Sequence, residues 1–418
     1  MCSLAATLDV GSAAFFDLDH NFRSVANMPT RNTGRYQRVA IGGETLNAFI
    51  PEALPPKKPP LAIAGNLETR LRQAEQALVR LDLAGGMVPS LDWFIYAFVR
   101  KEAVISSQIE GTQASLIDLF AFEASDRPTP NPDVAEVCHY LDALTYARGQ
   151  LASERGLPLS IRLLNETHRR LMRGQGRGAN QQPGQIRQSQ NWIGGSRPGN
   201  AVYVPPPPDE LAELLGELER YIHRQDRIPH LVRAGLLHAQ FETIHPYLDG
   251  NGRIGRLLIT LLLEHWGLLK SPLLYLSLFF KRHREEYYRR LNAVRTQGDF
   301  EGWLDFFLDG VTMIADEAVN SARELFALVN ADRARMIASP ALSVPMVRLF
   351  EQLPRHPVVA VASAMKLLKT TKPTATRAVE ALIEIGVLVE TTGKRRDRSF
   401  AYTAYLDRLR VGTDLESI

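Results

Sequence analysis

Apolar residues recurring at three- and four-residue spacing make most of this 418-residue chain helical before any other property is considered. Leu67, Leu71, Ala74, Leu78 and Leu81 share the face of one helix, which Gly85–Gly86 should close. A second helix is expected over about 90–110, with Gly111 as its stop. Another runs through Leu151. Ser160 is placed to cap a helix carrying Ile161, Leu164, His168 and Leu171. Leu211, Leu214, Leu215, Leu218 and Ile222 mark the next helix, a further one ends near Ile244, and helical pattern continues to about Ala338.

The breaks in this pattern suggest a domain order. Residues 1–40 are poorly periodic and read as irregular, and PEALPPKKPP is a proline-rich linker or surface-hugging strand. Residues 41–150 form a helical N-terminal domain and 151–338 a second, larger helical core. Inside it RGQGRGANQQPGQIR is too polar for an interior. QNWIGGSRPGNAVYVPPPP, short apolar pairs flanking glycines, predicts a β-hairpin ended by Pro205–Pro208. After SPALSVP, residues 341–410 read helix (345–353), helix (359–369), helix (373–385), strand, basic turn, strand (387–403). That order is a winged helix-turn-helix with GKRRDR as the wing tip. The fold class is therefore mainly α, with a β-hairpin flap and a C-terminal winged helix.

Composition narrows the function. The two cysteines, Cys2 and Cys138, form no CxxC pair, which argues against a disulfide scaffold or a cysteine zinc site. No apolar run approaches the ~18 residues of a membrane span, and no secretory pattern opens the chain, so a cytoplasmic protein is expected. The net charge of +3 does not by itself imply nucleic acid, although residues 341–418 hold 12 Lys and Arg against 8 Asp and Glu.

The chemistry concentrates in HPYLDGNGRIGR, residues 245–256. Pro246 pushes His245 out of helical geometry, so the histidine sits where a helix ends. Ile254, Leu257, Leu258, Leu261 and Leu262 begin a new helix, and DGNG is the loop entering its N-terminus. Backbone N–H groups around Gly250, Asn251 and Gly252, with the helix dipole, suit phosphate oxygens. Arg253 and Arg256 flank the same point from the first turn, where cations oppose the dipole unless an anion lies between them. Asp249 beside them makes sense if Mg²⁺ bridges it to phosphates. His245, with an unperturbed pKa near ~6.5, can take a proton from an attacking hydroxyl. Each residue alone has an ordinary structural explanation; the ordered set points to Mg²⁺-assisted transfer from a nucleoside triphosphate to a hydroxyl.

This stretch resembles the Fic signature, HPFx[DE]GNGRxxR, with Tyr247 in place of phenylalanine. The resemblance implies transfer of AMP from ATP to a Ser, Thr or Tyr hydroxyl of a protein. It implies His245 as general base, Asp249 as Mg²⁺ ligand, Gly250–Gly252 as phosphate cradle, and Arg253 and Arg256 on the β- and γ-phosphates. The segment around Trp192, Ile193 and Gly194 resembles the family's flap, which pairs with the target's main chain; Trp192 and Ile193 fit a core role equally well. SSQIEG is similar to the inhibitory motif [ST]xxxE[GN], with Ser106 and Glu110 on one helical face and the glutamate reaching Arg256. Self-modification and a homodimer are further expectations of the resemblance.

Other readings stay open. Relatives of the fold transfer other groups or nucleotides, and some remove AMP with the inhibitory glutamate. A regulator of a different class would use the core as a nucleotide sensor and bind DNA through Lys372, Arg377, Lys394, Arg395, Arg396 and Arg398. Glu380 and Glu384 neutralise the third helix of that unit, which makes DNA the less favoured partner.

Overall fold

The computed structural model describes residues 31–87, 91–125, 130–174, 182–393 and 398–415. It begins with a feature the apolar periodicity did not announce. Strands β1 (Gly34–Ile41) and β2 (Glu44–Pro51) pair antiparallel, with Ile41 opposite Glu44. The two residues between them, Gly42 and Gly43, both have positive φ, as a tight two-residue hairpin turn requires. The part of the expected irregular segment that is described is thus largely strand. Its signal was Gly-Gly between two alternating runs.

Helices α1 (Asn66–Met87), α2 (Leu91–Ile109), α3 (Leu116–Ala124) and α4 (Pro132–Ala152) follow. Contrary to expectation, α1 continues through Gly85–Gly86. Gly111 does end the second helix, at φ 94°. Next come α5 (Ile161–Leu171), α6 (Leu211–His223), α7 (His230–Ile244) and α8 (Asn251–His265). The Ser160 side chain accepts the Leu163 N–H and caps α5. After α9 (Ser277–Arg282) and α10 (Arg284–Gln297), the long α11 (Phe300–Ile337) packs along α1.

The core centres on α7 and α8. Ile254, Leu257, Leu258, Leu261 and Leu262 are all fully buried, which fixes the rotation of α8 and hence the direction of its first turn. Trp303 of α11 donates its indole N–H to the Gly235 carbonyl of α7 at 2.8 Å. Arg31 joins the region before the hairpin to α11 through Glu301 at 2.9 Å.

The last part of the chain holds α12 (Val344–Gln352), β3 (Val358–Ala360), α13 (Val361–Leu368), α14 (Lys372–Glu384), β4 (Val389–Glu390), β5 (Ser399–Ala401) and α15 (Thr403–Leu409). Its three short strands form an antiparallel sheet in the order β3-β5-β4. The helix expected over 359–369 thus starts later, because Val358, Val359 and Ala360 pair with Ala401, Phe400 and Ser399. Residues 394–397, most of the expected basic tip, lie outside the described residues. Among the described residues no helix is long and apolar enough to cross a membrane.

Candidate functional site

The site is built at the junction of α7 and α8. Pro246 cannot extend α7, and His245 ends it in the left-handed region at φ 49°, ψ 62°. For a residue with a side chain this costs about 1–2 kcal/mol. The conformation is held at both sides: the His245 N–H donates to the Phe241 carbonyl at 2.9 Å, and its carbonyl accepts Arg187 Nε at 3.0 Å.

The turn that follows closes on itself. Asn251 accepts the Tyr247 N–H with Oδ1 and donates Nδ2 to the Tyr247 carbonyl, both at 2.8 Å. The Tyr247 ring is buried and stacked on His168, with centroids 3.8 Å apart, and its hydroxyl donates to Asn165 at 2.8 Å. His168 Nδ1 accepts the Gly184 N–H at 2.9 Å, so the ring proton sits on Nε2 and is donated to the Asp249 carbonyl at 3.0 Å. Burial pushes His168 down to about 4, which keeps it neutral. Gly250, the residue before α8, has φ 75°, and a Cβ there would lie 2.8 Å from Met172 Sδ.

Arg253 and Arg256 project from the first two turns of α8, and both are buried. Arg256 is firmly held through Nε and NH2. It donates Nε to Ser106 Oγ at 2.9 Å and NH2 to the Ser106 carbonyl at 2.8 Å and to Glu110 Oε1 at 2.6 Å. That same Glu110 oxygen lies 2.2 Å from where a Gly252 Cβ would stand. A carboxylate therefore sits against the opening of the helix, where an anion is favoured by the dipole. Burial alone would raise the Glu110 carboxyl. Arg256, by charge and hydrogen bond, with Arg253 and His245 behind it, brings it below the usual carboxylate range instead. Arg253 is held far more loosely. Its closest carboxylates are Glu136 at 3.7 Å and Asp249 at 3.9 Å, and its buried Nε has no hydrogen-bond partner.

The imidazole of His245 differs from the unperturbed expectation. Burial and the nearby Arg187 push it down to about 4, against an upward pull from Glu110. At neutral pH it is an uncharged acceptor, but a weaker base than a free imidazole. Its Nδ1 is shielded and has no hydrogen-bond partner. Asp249, half-exposed at the rim, accepts the Gly250 N–H at 2.6 Å. Among the described residues no group of three His, Cys, Asp or Glu could hold a metal by itself.

Residues 190–205 are a loop and not the expected hairpin. Only Ile193 and Tyr203 form a bridge, with the Ile193 N–H on the Tyr203 carbonyl at 2.8 Å. Gly194 and Gly195 at positive φ and a 3-10 turn at Pro198–Asn200 interrupt the ladder. The Phe49 N–H of β2 donates to the Val204 carbonyl at 3.0 Å, so the N-terminal hairpin borders this loop. Trp192 is partly exposed, and Asn191 beside it reaches the Tyr247 carbonyl at 3.4 Å.

Several contributors had no clear sequence signal. Arg187, from the stretch judged too polar for an interior, is 1% exposed and donates to the carbonyls of His245, Ser189 and Pro206. Glu242, one turn before His245, has its carboxyl pushed up to about 7 by burial against the opposing charge of Arg256. Gln108, on the α2 turn between Ser106 and Glu110, donates to the carbonyls of Ala114 and Thr413 at 2.9 and 2.8 Å.

Residues 68–149 match the family described as Fic/DOC family N-terminal, and residues 158–263 match the Fic/DOC family. The chain is 31% identical over 169 residues to the protein adenylyltransferase Fic of Culex quinquefasciatus, covering 40% of this chain and 30% of that protein. It is 28% identical over 214 residues to the protein of the same name from Aedes aegypti, covering 50% and 38%. The chain thus spans about a third of the length of these relatives. The crystal structure of a Fic family protein from Desulfovibrio desulfuricans G20 superposes with a TM-score of 0.51 at 19% identity, covering 82% of this chain and 97% of that one; it is a likeness of fold.

Proposed function

This chain belongs to the Fic/DOC family, and we propose that it transfers AMP from ATP to a Ser, Thr or Tyr hydroxyl of a protein, held in check by Glu110. The observation that carries the reading is the Glu110 carboxylate on Arg256 and against Gly252, at the one helix start that also bears His245, Asp249 and Arg253. An internal anion lies where the phosphates of the nucleotide are expected. In the proposed step the hydroxyl oxygen bonds to the α-phosphorus, the bond to the β-phosphate breaks, and pyrophosphate leaves. His245 takes the hydroxyl proton, and being neutral it is ready to accept one. Arg253 and, once released, Arg256 hold the phosphate oxygens.

A Mg²⁺ ion suits Asp249, because this cation commonly takes one or two protein carboxylates and completes its shell with phosphates and water. It would neutralise charge on the nucleotide. The loop around Trp192, Ile193 and Gly194 is proposed to pair with the target's main chain beside the site. On this reading residues 41–150 carry the inhibitory helix, 151–338 the catalytic core, and 341–410 a winged helix-turn-helix. On α14, Lys372 and Arg377 are balanced by Glu380 and Glu384, which favours protein docking over DNA. A salt-sensitive shift of duplex DNA by the intact chain would reverse that choice.

The test is the intact mass of Glu110→Gly protein incubated with Mg²⁺ and ATP, beside Glu110→Gly/His245→Ala. Gain of one AMP mass only where His245 remains is the expected result. Loss of the base should slow transfer by ~10²–10⁴-fold. Gain of a phosphate mass, or AMP transfer undiminished by His245→Ala, would overturn the reading.

A further inference from the structure

A cavity of about 220 Å³ lies between the N-terminal hairpin and the outer arm of the flap loop. Tyr36 and Phe49 of the hairpin form one wall, Val202 and Tyr203 of the flap form another, and Asn292 and Arg295 of α10 complete it. Its aromatic surface would suit an apolar side chain, but Arg295 changes what fits. The guanidinium lies 3.9 Å from the centre of the Tyr203 ring. Among the described residues no carboxylate lies within ion-pair distance of it, Glu242 acting on it only through charge at longer range; its one side-chain hydrogen bond is a long one, 3.5 Å, to Asn292, and its buried Nε has no partner. Half-buried guanidinium groups are ordinarily matched by a carboxylate or phosphate. No residue lining the cavity is acidic. The nearest hairpin carboxylate, Glu44, is already paired with Arg197 at 2.6 Å.

The cavity is also well placed for a target. Tyr203 is the bridge partner of Ile193, and its hydroxyl donates to the Thr243 carbonyl, two residues before His245, at 2.7 Å. A peptide strand lying along the flap would send alternate side chains to one side.

We propose that this cavity selects targets by binding an acidic side chain, Asp or Glu, located within a few residues of the modified hydroxyl, with Arg295 as its counter-charge. The wall of Tyr36, Phe49 and Tyr203 would pack the methylene part of that side chain. The inference rests on the transferase reading, so its test must separate the two.

The experiment uses the full chain carrying Glu110→Gly and pairs of capped, dye-labelled peptides. Each pair contains one hydroxyl residue and has Glu or Gln at the flanking positions. Binding is read by fluorescence anisotropy without nucleotide, and AMP transfer to the same peptides by mass. The Glu peptides should bind roughly tenfold tighter than their Gln twins, as a charge-assisted pair implies. Arg295→Gln should abolish that preference and Arg295→Lys should keep part of it. Tyr36→Ala, on the exposed rim, should weaken both twins together. Equal binding of the twins, or a preference that survives Arg295→Gln in a folded variant, overturns the inference. AMP transfer without acidic preference sinks the pocket alone. Acid-selective binding with no transfer under any condition sinks the transferase reading and leaves the pocket.

Discussion

Arg253 and Arg256 leave the same helical turn, three residues apart, and meet opposite surroundings. Arg256 spends its donors on Ser106 and Glu110 at 2.6–2.9 Å. Arg253 has only contacts beyond 3.6 Å and an unpartnered Nε. One guanidinium is therefore tied into the folded scaffold, while the other keeps donors that no close partner takes. The difference teaches that a motif can be complete in residues and incomplete in availability.

The sharpest way to break the comparison is to release Arg256. Glu110→Gly should raise AMP transfer by ~5–150-fold, the usual range of a coupling between two sites, measured as initial rate at fixed ATP. An unchanged rate would mean that Glu110 does not obstruct the nucleotide. In that released background the arginines should become equivalent in function. Arg253→Ala and Arg256→Ala should each weaken ATP binding by ~10–100-fold, the worth of a hydrogen bond to a charged group, as read by calorimetry.

In the unreleased chain they should part company. Arg256→Ala strands the buried Ser106 hydroxyl and should lower stability by ~1–3 kcal/mol, whereas Arg253→Ala should change it by under ~1 kcal/mol. Chemical denaturation of both variants checks this; equal losses would erase the distinction. A finer probe is Ser106→Ala, which removes one hydrogen-bond acceptor of Arg256 but leaves its contact with the Ser106 carbonyl. Basal transfer should rise by roughly 2- to 10-fold, matching a net hydrogen bond of ~0.5–1.5 kcal/mol.

The smallest expected effect is on pH. With His245 lowered to about 4, kcat/KM of the released enzyme should be flat from about pH 5.5 to 8. An inflection near ~6.5 would instead report an ordinary imidazole. Glu110→Gly removes a charge that raises the His245 value, so the inflection moves down if at all. The contact of Glu110 with Arg256 has the same insensitivity. Because the Glu110 carboxyl is depressed in the folded chain, its contribution is present above the unfolded value of ~4.3 and is lost only as pH falls through the lower folded one.

Much of the site was legible because its constraints are local. Pro246 after His245, glycines at 250 and 252, and a leucine stripe from 257 fix a helix end, a tight turn and a helix start without any distant partner. Ser106 and Glu110 could be brought to one side by spacing, although α2 ends at Ile109 and Glu110 sits in the turn that closes it, its N–H on the Ser107 carbonyl at 3.0 Å. The hairpin at 34–51 was also legible in principle, through its Gly-Gly turn between two runs that lack helical period. The flap failed for the converse reason. Apolar pairs suggested a ladder, but Gly194, Gly195 and Pro198 leave a single bridge.

The order of the chain thus determined most of the helices, the turn between α7 and α8, and the charged residues of that turn itself, Asp249, Arg253 and Arg256, because these depend on neighbours within a few residues. Tertiary structure alone decided which arginine is occupied, since Ser106 and Glu110 reach Arg256 across about 150 positions of sequence. It also decided that Arg187 would be buried under the His245 carbonyl and that Thr413 would reach α2 through Gln108. The state of His245 belongs with these. Sequence supplies the imidazole, but burial and the charges that packing brings around it set whether it carries a proton.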